Sequence, residues 1–106
     1  MKIIFNNIIP FPGFKAINLF GILFARKGSR IDNRTINHES IHTAQMKEML
    51  YILFYIWYII EWIIRLFMKG NAYRNISFER EAYGNEHNMN YLNERNKFNW
   101  FKYLKR

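Results

Sequence analysis

The ten residues Thr35-Ile36-Asn37-His38-Glu39-Ser40-Ile41-His42-Thr43-Ala44 decide how the rest of the chain is read. On an α-helix, residues four apart stand one above the other, so His38 and His42 aim two imidazoles at one point in space. Glu39 lies about 100° around the same helix, close enough to act on a water held at that point without becoming a ligand itself. With three His and seven Glu in 106 residues, random shuffling produces His-Glu-x-x-His with a probability of about half a percent. The flanking Ile36, Ser40, Ile41, Thr43 and Ala44 are uncharged and include no Pro, as a buried functional helix requires.

The stretch resembles the active-site helix of the zincin metallopeptidases, and its extension to Gln45 resembles the HExxHxxQ pattern of small zincin-like proteins. The resemblance implies Zn²⁺ bound by His38 and His42, with Glu39 as general base. It also implies a peptide or protein substrate. Zincins of the gluzincin type take a third ligand from a glutamate on a separate downstream helix, and Glu79-Arg80-Glu81-Ala82-Tyr83 resembles that ExEAD element with Tyr83 in the place of Asp. Aligned on the Asp position, the third ligand is Glu79. Aligned on the REAxxN spacing, with Asn85 as the residue orienting a ligand histidine, it is Glu81. His87 offers a third possibility, although its Asn-Glu-His-Asn surroundings suit a solvent-facing spectator.

A chain of 106 residues is one domain with room for a modest core. Half the residues are hydrophobic and 19% aromatic, which excludes a disordered chain. The absence of cysteine excludes disulfides, thiolate metal sites and cysteine nucleophiles, so a metal must be held by His and carboxylate. The net charge of +8 suits an anionic partner, either nucleic acid or a lipid headgroup layer. No nucleic-acid recognition motif accompanies the basic and aromatic C-terminal residues. The first ten residues carry one charge and an interrupted apolar run with no small-residue cleavage site, so they read as mature structure and not as a signal peptide. That places the protein in the cytoplasm or at the cytoplasmic membrane.

Along the chain, residues 1–31 read as short strands: Lys2 to Ile9, a turn at Pro10-Phe11-Pro12-Gly13, then Ile17 to Arg26 as one strand. By resemblance this second strand is the candidate edge for pairing with extended substrate. Asp32, Asn33 and Thr35 signal a helix start, and Lys69-Gly70-Asn71 the next clear stop. The expected helix, 33–69, is about 35 residues or roughly 50 Å long, enough to contain a kink or break. Ser77 reads as the cap of the glutamate helix, which with a C-terminal helix occupies 77–105. The fold expected is α+β and predominantly α.

Met49 to Met68 raises the question of a membrane. Its eleven Ile, Leu and Phe are opposed by Glu61 and Arg65, and at about −0.3 to −0.6 against about +2.5 to +3.5 kcal/mol each the insertion sum is near zero. Tyr51, Tyr55, Tyr58, Trp62, Arg65 and Lys69 form one stripe at helical spacing, the pattern of a helix lying in a membrane interface or packing a core with one wet edge. A straight span conflicts with a metal closed by Glu79 or Glu81, because it separates His42 from them by a hydrocarbon layer of about 30 Å. Two functions follow: a zinc peptidase whose apolar segment turns back or lies along a membrane surface, or a non-catalytic, membrane-associated basic protein carrying an incidental or degenerate HExxH.

Overall fold

The computed structural model describes residues 1–10 and 15–104. The expected turn at Pro10-Phe11-Pro12-Gly13 falls mostly outside the described residues, as do the terminal Lys105 and Arg106. The fold is α+β and predominantly α. Three strands, β1 (Lys2–Asn6), β2 (Ala16–Leu19) and β3 (Ile22–Arg26), precede α1 (Asn33–Glu48), α2 (Ile52–Leu66), α3 (Ala72–Asn75), α4 (Ser77–Asn85), α5 (Tyr91–Glu94) and a final 3₁₀ turn at Asn99–Tyr103.

The sheet order is β1-β3-β2, with β1 parallel and β2 antiparallel to the central β3. The single strand expected from Ile17 to Arg26 is therefore two strands. Phe20 and Gly21 both have positive φ, 53° and 92°, the backbone that closes a tight hairpin with the correct twist. Glycine adopts it freely, and Gly21 faces Thr43 of α1 so closely that an added Cβ would sit 3.4 Å from the threonine methyl. Asn18 of β2 ties the hairpin to α1 by donating to Glu39 O at 3.0 Å and to Thr43 Oγ1 at 3.1 Å.

Helix α1 starts where its sequence indicates: Asp32 accepts a hydrogen bond from the Thr35 amide at 2.8 Å and satisfies one of the free donors of the first turn. The helix expected to run on to Lys69 instead breaks after Glu48. Leu50 and Tyr51 take positive φ of 52° and 59°, a conformation costing a non-glycine residue about 1–2 kcal/mol. The Tyr51 amide turns back to Met46 O at 2.7 Å, and α2 leaves at 109° to α1. The chain then returns through α3, and α4 packs across α1.

Ser77 is not the expected cap. The α4 N-terminus has no side-chain cap of its own; Glu61 of α2 fills that role, accepting from Ser77 N at 2.5 Å and from Ser77 Oγ at 2.6 Å. A carboxylate at a helix N-terminus also complements the helix dipole. The main core gathers Met46, Phe54, Ile76, Phe78 and Trp100, with a smaller cluster of Ile41, Ala82 and Tyr91 beside it. Of the large apolar residues near the C-terminus, Trp100 is fully buried, whereas Met89, Leu92, Phe98 and Phe101 are exposed. Trp100 meets Phe78 edge-on at 4.7 Å and Trp57 at 5.3 Å, so it joins the last turn to α2 and α4. Trp100→Ala is expected to lower the free energy of unfolding by about 3–5 kcal/mol, measured by equilibrium urea denaturation; a loss below about 1 kcal/mol would show that the C-terminal turn is not part of the core.

Candidate metal centre

The break after α1 lets α4 come back across the His-Glu-x-x-His turn. His38 and His42, both buried on α1, present their Nε2 atoms to one carboxylate oxygen: Glu79 Oε1 lies 3.2 Å from His38 Nε2 and 3.0 Å from His42 Nε2. One ligand atom from each residue lies within 4.8 Å of the other two. Donors about 2.0–2.1 Å from a tetrahedral zinc stand roughly 3.3 Å apart, and the two nitrogen–oxygen distances, though not the full 4.8 Å span of the group, are close to that. Two nitrogens and one carboxylate oxygen are a donor set able to hold a metal ion.

The far side of each imidazole is fixed. His38 Nδ1 is 2.8 Å from Glu86 Oε1, and Glu86 is itself paired with Arg34. His42 Nδ1 is 2.8 Å from Gln45 Oε1, while the Gln45 amide nitrogen donates to Glu81 Oε1 at 2.9 Å and to Phe78 O at 3.0 Å. With a metal bound, donation from both Nδ1 atoms to these oxygens would turn both Nε2 lone pairs toward the ion, the arrangement that outer partners give to metal-bound histidines. Glu79 Oε2 accepts from Tyr58 at 2.6 Å, leaving Oε1 toward the histidines.

Each residue singled out in the sequence has a definite place. Glu79 joins His38 and His42. Glu81 lies away from them, fully buried and bound by Arg95 Nε and Tyr91 OH, both at 2.6 Å. Arg95 also grips Glu48, so Glu81 belongs to a second ionic cluster that holds the C-terminal segment to α1. His87 is exposed and outside the cluster. Asn85 does not orient a histidine; it donates to Glu81 O at 2.8 Å and to Tyr103 OH at 3.1 Å. Glu86, the next residue, does that work. Tyr83, in the position of the Asp, instead packs its ring edge-on against His38 at 4.5 Å. The signal for Glu86 was its spacing: seven residues from Glu79 is about two helical turns, hence the same face.

A cleft of about 290 Å³ opens beside the cluster, lined by β2, by Glu39 and His42 of α1, by Tyr55 and Tyr58 of α2, and by Tyr73 and Glu79. Burial and the nearby Glu79 raise the pKa of the Tyr58 and Tyr73 hydroxyls, so both remain protonated donors. Burial by itself would lower the pKa of His42, but the Glu79 charge and its hydrogen bond outweigh this and raise it to about 9. Burial would raise Glu79 in turn, but His42 and the hydrogen bonds from His38, His42 and Tyr58 hold it well below the ordinary carboxylate range. Without metal the pair is an imidazolium and a carboxylate.

Comparison with protein-family models, with curated proteins and with solved structures gives no match for this chain. Function must therefore be argued from the site itself.

The metal-free pair carries a pH signature. A histidine raised from 6.5 to about 9 contributes stability that is complete below pH 6.5 and is lost as pH rises toward 9. A carboxylate lowered from 4.5 contributes stability present above that pH and lost on further acidification. Thermal melts of EDTA-treated protein are thus expected to show the highest Tm between about pH 4.5 and 6.5 and a fall between 6.5 and 9, with His42→Asn removing that fall. A Tm that is level from pH 6.5 to 9 would contradict the ion pair.

Proposed function

We propose that this protein is a zinc-dependent peptide hydrolase of minimal gluzincin-like design, with His38, His42 and Glu79 as metal ligands and Glu39 as general base. The observation that carries the reading is the convergence of both His Nε2 atoms on Glu79 Oε1 while both Nδ1 atoms are held from behind. An ordinary helix with two incidental histidines has no reason to arrange both features. A zinc ion held by this set supplies Lewis acidity, which polarises a carbonyl and makes water nucleophilic near neutral pH.

The chain's own groups do the rest. Glu39 is half-buried on the wall of the cleft, where its carboxylate takes a proton from the attacking water and returns it to the leaving amine nitrogen. Tyr73, exposed at the rim, shares a hydrogen bond of 3.2 Å with Tyr83 and lines the cleft, where its hydroxyl would donate to developing negative charge on a substrate oxygen. Strand β2 is an edge strand lining the same cleft, which supports backbone pairing with an extended peptide. The Tyr55 hydroxyl already holds Asn18 O and Phe20 N at one end of that edge, so the pairing is short and the substrate segment small.

A second reading, a non-catalytic membrane-associated basic protein, takes the same contacts as structural: the Glu79 carboxylate is partnered within the protein by His38, His42 and Tyr58. The two readings part on metal content. The hydrolase is expected to bind one zinc per chain by elemental analysis after purification without chelator, with His38→Ala and His42→Ala losing it. Glu39→Gln is expected to keep the zinc and lose peptide hydrolysis at least about 100-fold, and Glu86→Ala to weaken zinc affinity about 10–100-fold. Zinc content unchanged in both histidine variants would remove the hydrolase reading.

A further inference from the structure

In a helix facing water, apolar residues point inward and charged ones outward. Helix α2 is the reverse. Its two charged residues, Glu61 and Arg65, are each 6% exposed. Glu61 is taken up by Ser77 and Trp57, and Arg65 donates to Leu104 O at 3.0 Å. The outward residues are Ile52, Ile56, Ile59, Ile60, Ile63 and Phe67, the last 88% exposed. Together with the equally exposed Leu53, Ile64 and Leu66 they occupy, at about 100° per residue, one arc of roughly 160° centred opposite the buried Phe54. No charge interrupts it. Trp57 and Trp62, both partly exposed, stand on its two flanks, where amphipathic aromatic rings sit at membrane surfaces.

Two further facts say what covers this face. Among the described residues only Asp32 and Glu94 expose a carboxylate, because Glu61, Glu79, Glu81 and Glu86 are buried and Glu39 and Glu48 partly so. Exposed Lys and Arg outnumber these two among the described residues, so the surface they present is basic. A second copy laid on the face would bring like charge against like charge, whereas anionic lipid headgroups complement it. Length excludes a simple crossing: no single helix among the described residues is long and apolar enough to span, and the 15 residues of α2 reach about 22 Å against a hydrocarbon core of about 30 Å.

We infer that α2 docks the protein on an anionic bilayer surface, its axis in the plane of the membrane and its outer arc in the boundary between headgroups and acyl chains. The inference does not need the metal. Tyr55 and Tyr58, on one shoulder of the same helix, line the cleft, so the cleft opens beside the docked face; if the hydrolase reading also holds, its substrates are polypeptide segments presented at a lipid surface.

Flotation with vesicles tests it directly. The full chain is expected to float with phosphatidylcholine vesicles containing phosphatidylglycerol and to bind vesicles of pure phosphatidylcholine at least about tenfold more weakly, with added salt narrowing the difference. In the wild-type chain, brominated acyl chains are expected to quench Trp57 and Trp62 emission, and Trp57→Phe/Trp62→Phe to abolish that quenching, since Trp100 is fully buried. Ile59→Glu/Ile63→Glu is expected to abolish flotation, with helical content by circular dichroism unchanged; where that variant misfolds, Ile59→Ser/Ile63→Ser and the quenching measurement stand in its place. Protein treated with EDTA is expected to float like untreated protein, which separates this inference from the zinc reading. Absence of flotation overturns it, as does flotation unaffected by both Ile59/Ile63 variants. A lipid-free dimer by sedimentation that is broken by Ile59→Glu/Ile63→Glu, with no vesicle binding, would assign the face to a second copy.

Discussion

Glu79 places a carboxylate in the interior, 3.2 and 3.0 Å from two imidazole nitrogens and 2.6 Å from a tyrosine hydroxyl. An anion taken out of water costs several kcal/mol unless donors surround it, and here all three donors come from other elements. His38 and His42 stand on α1 and Tyr58 on α2, and Glu79 itself arrives on α4. None of the three helices can shift without stranding the charge. The bend between α1 and α2 serves this constraint: it costs two residues an unfavourable backbone, Leu50 and Tyr51, and it brings Tyr58 and Glu79 to the histidine face of α1.

Three glutamates of one short segment do three different things because of the direction each faces. Glu79 and Glu86, seven residues apart, share the face toward α1, and there they divide the work between the two nitrogens of His38. Glu81, two residues from Glu79, points elsewhere and is neutralised by Arg95, its hydrogen bonds from Arg95, Tyr91 and Gln45 overcoming the effect of burial and lowering its pKa. Gln45 links the two clusters, accepting from His42 at Oε1 and donating to Glu81 at Nε2. A glutamine can do both at once, and a carboxylate at that position would place a third negative charge against Glu81. In a network so connected, deleting one partner leaves another charge uncompensated, a loss larger than one bond.

Local chemistry was legible in the sequence, and contacts between distant segments were not. Asp32 capping α1 and the i, i+4 histidines follow from a few adjacent residues, and the structure has both. Gly21 was readable as a turn inside the expected Ile17–Arg26 strand, since an isolated glycine in a strand pattern marks a bend or close approach. The break at Met49-Leu50-Tyr51 had no such mark: no Gly or Pro stands there, and its cause is packing between elements, as where Tyr55 reaches the backbone of the hairpin. Glu61 capping α4 across 16 residues was equally hidden, because Ser77 satisfied the local capping rule on its own. The choice between Glu79 and Glu81 turned on which face of α4 meets α1, and two residues of sequence separation decide that only after the crossing angle is known.

The His38, His42 and Glu79 cluster and the apolar segment first look like rival readings of one chain, yet the geometry makes the second follow from the first. For Glu79 to reach α1, α2 must turn back and offer Tyr58 to Glu79, Glu61 to the start of α4 and Arg65 to Leu104. Those demands use up the polar positions of α2 on its inner side. Phe54 fills the core from the same inner side, and the isoleucines and leucines of the helix face out. A helix whose inner side is taken up by polar partners is left with an apolar outer arc, the kind of patch that marks an interaction surface. Burying the charges of α2 to build the site and leaving an apolar exterior are thus one structural decision, made where the chain turns at Leu50 and Tyr51.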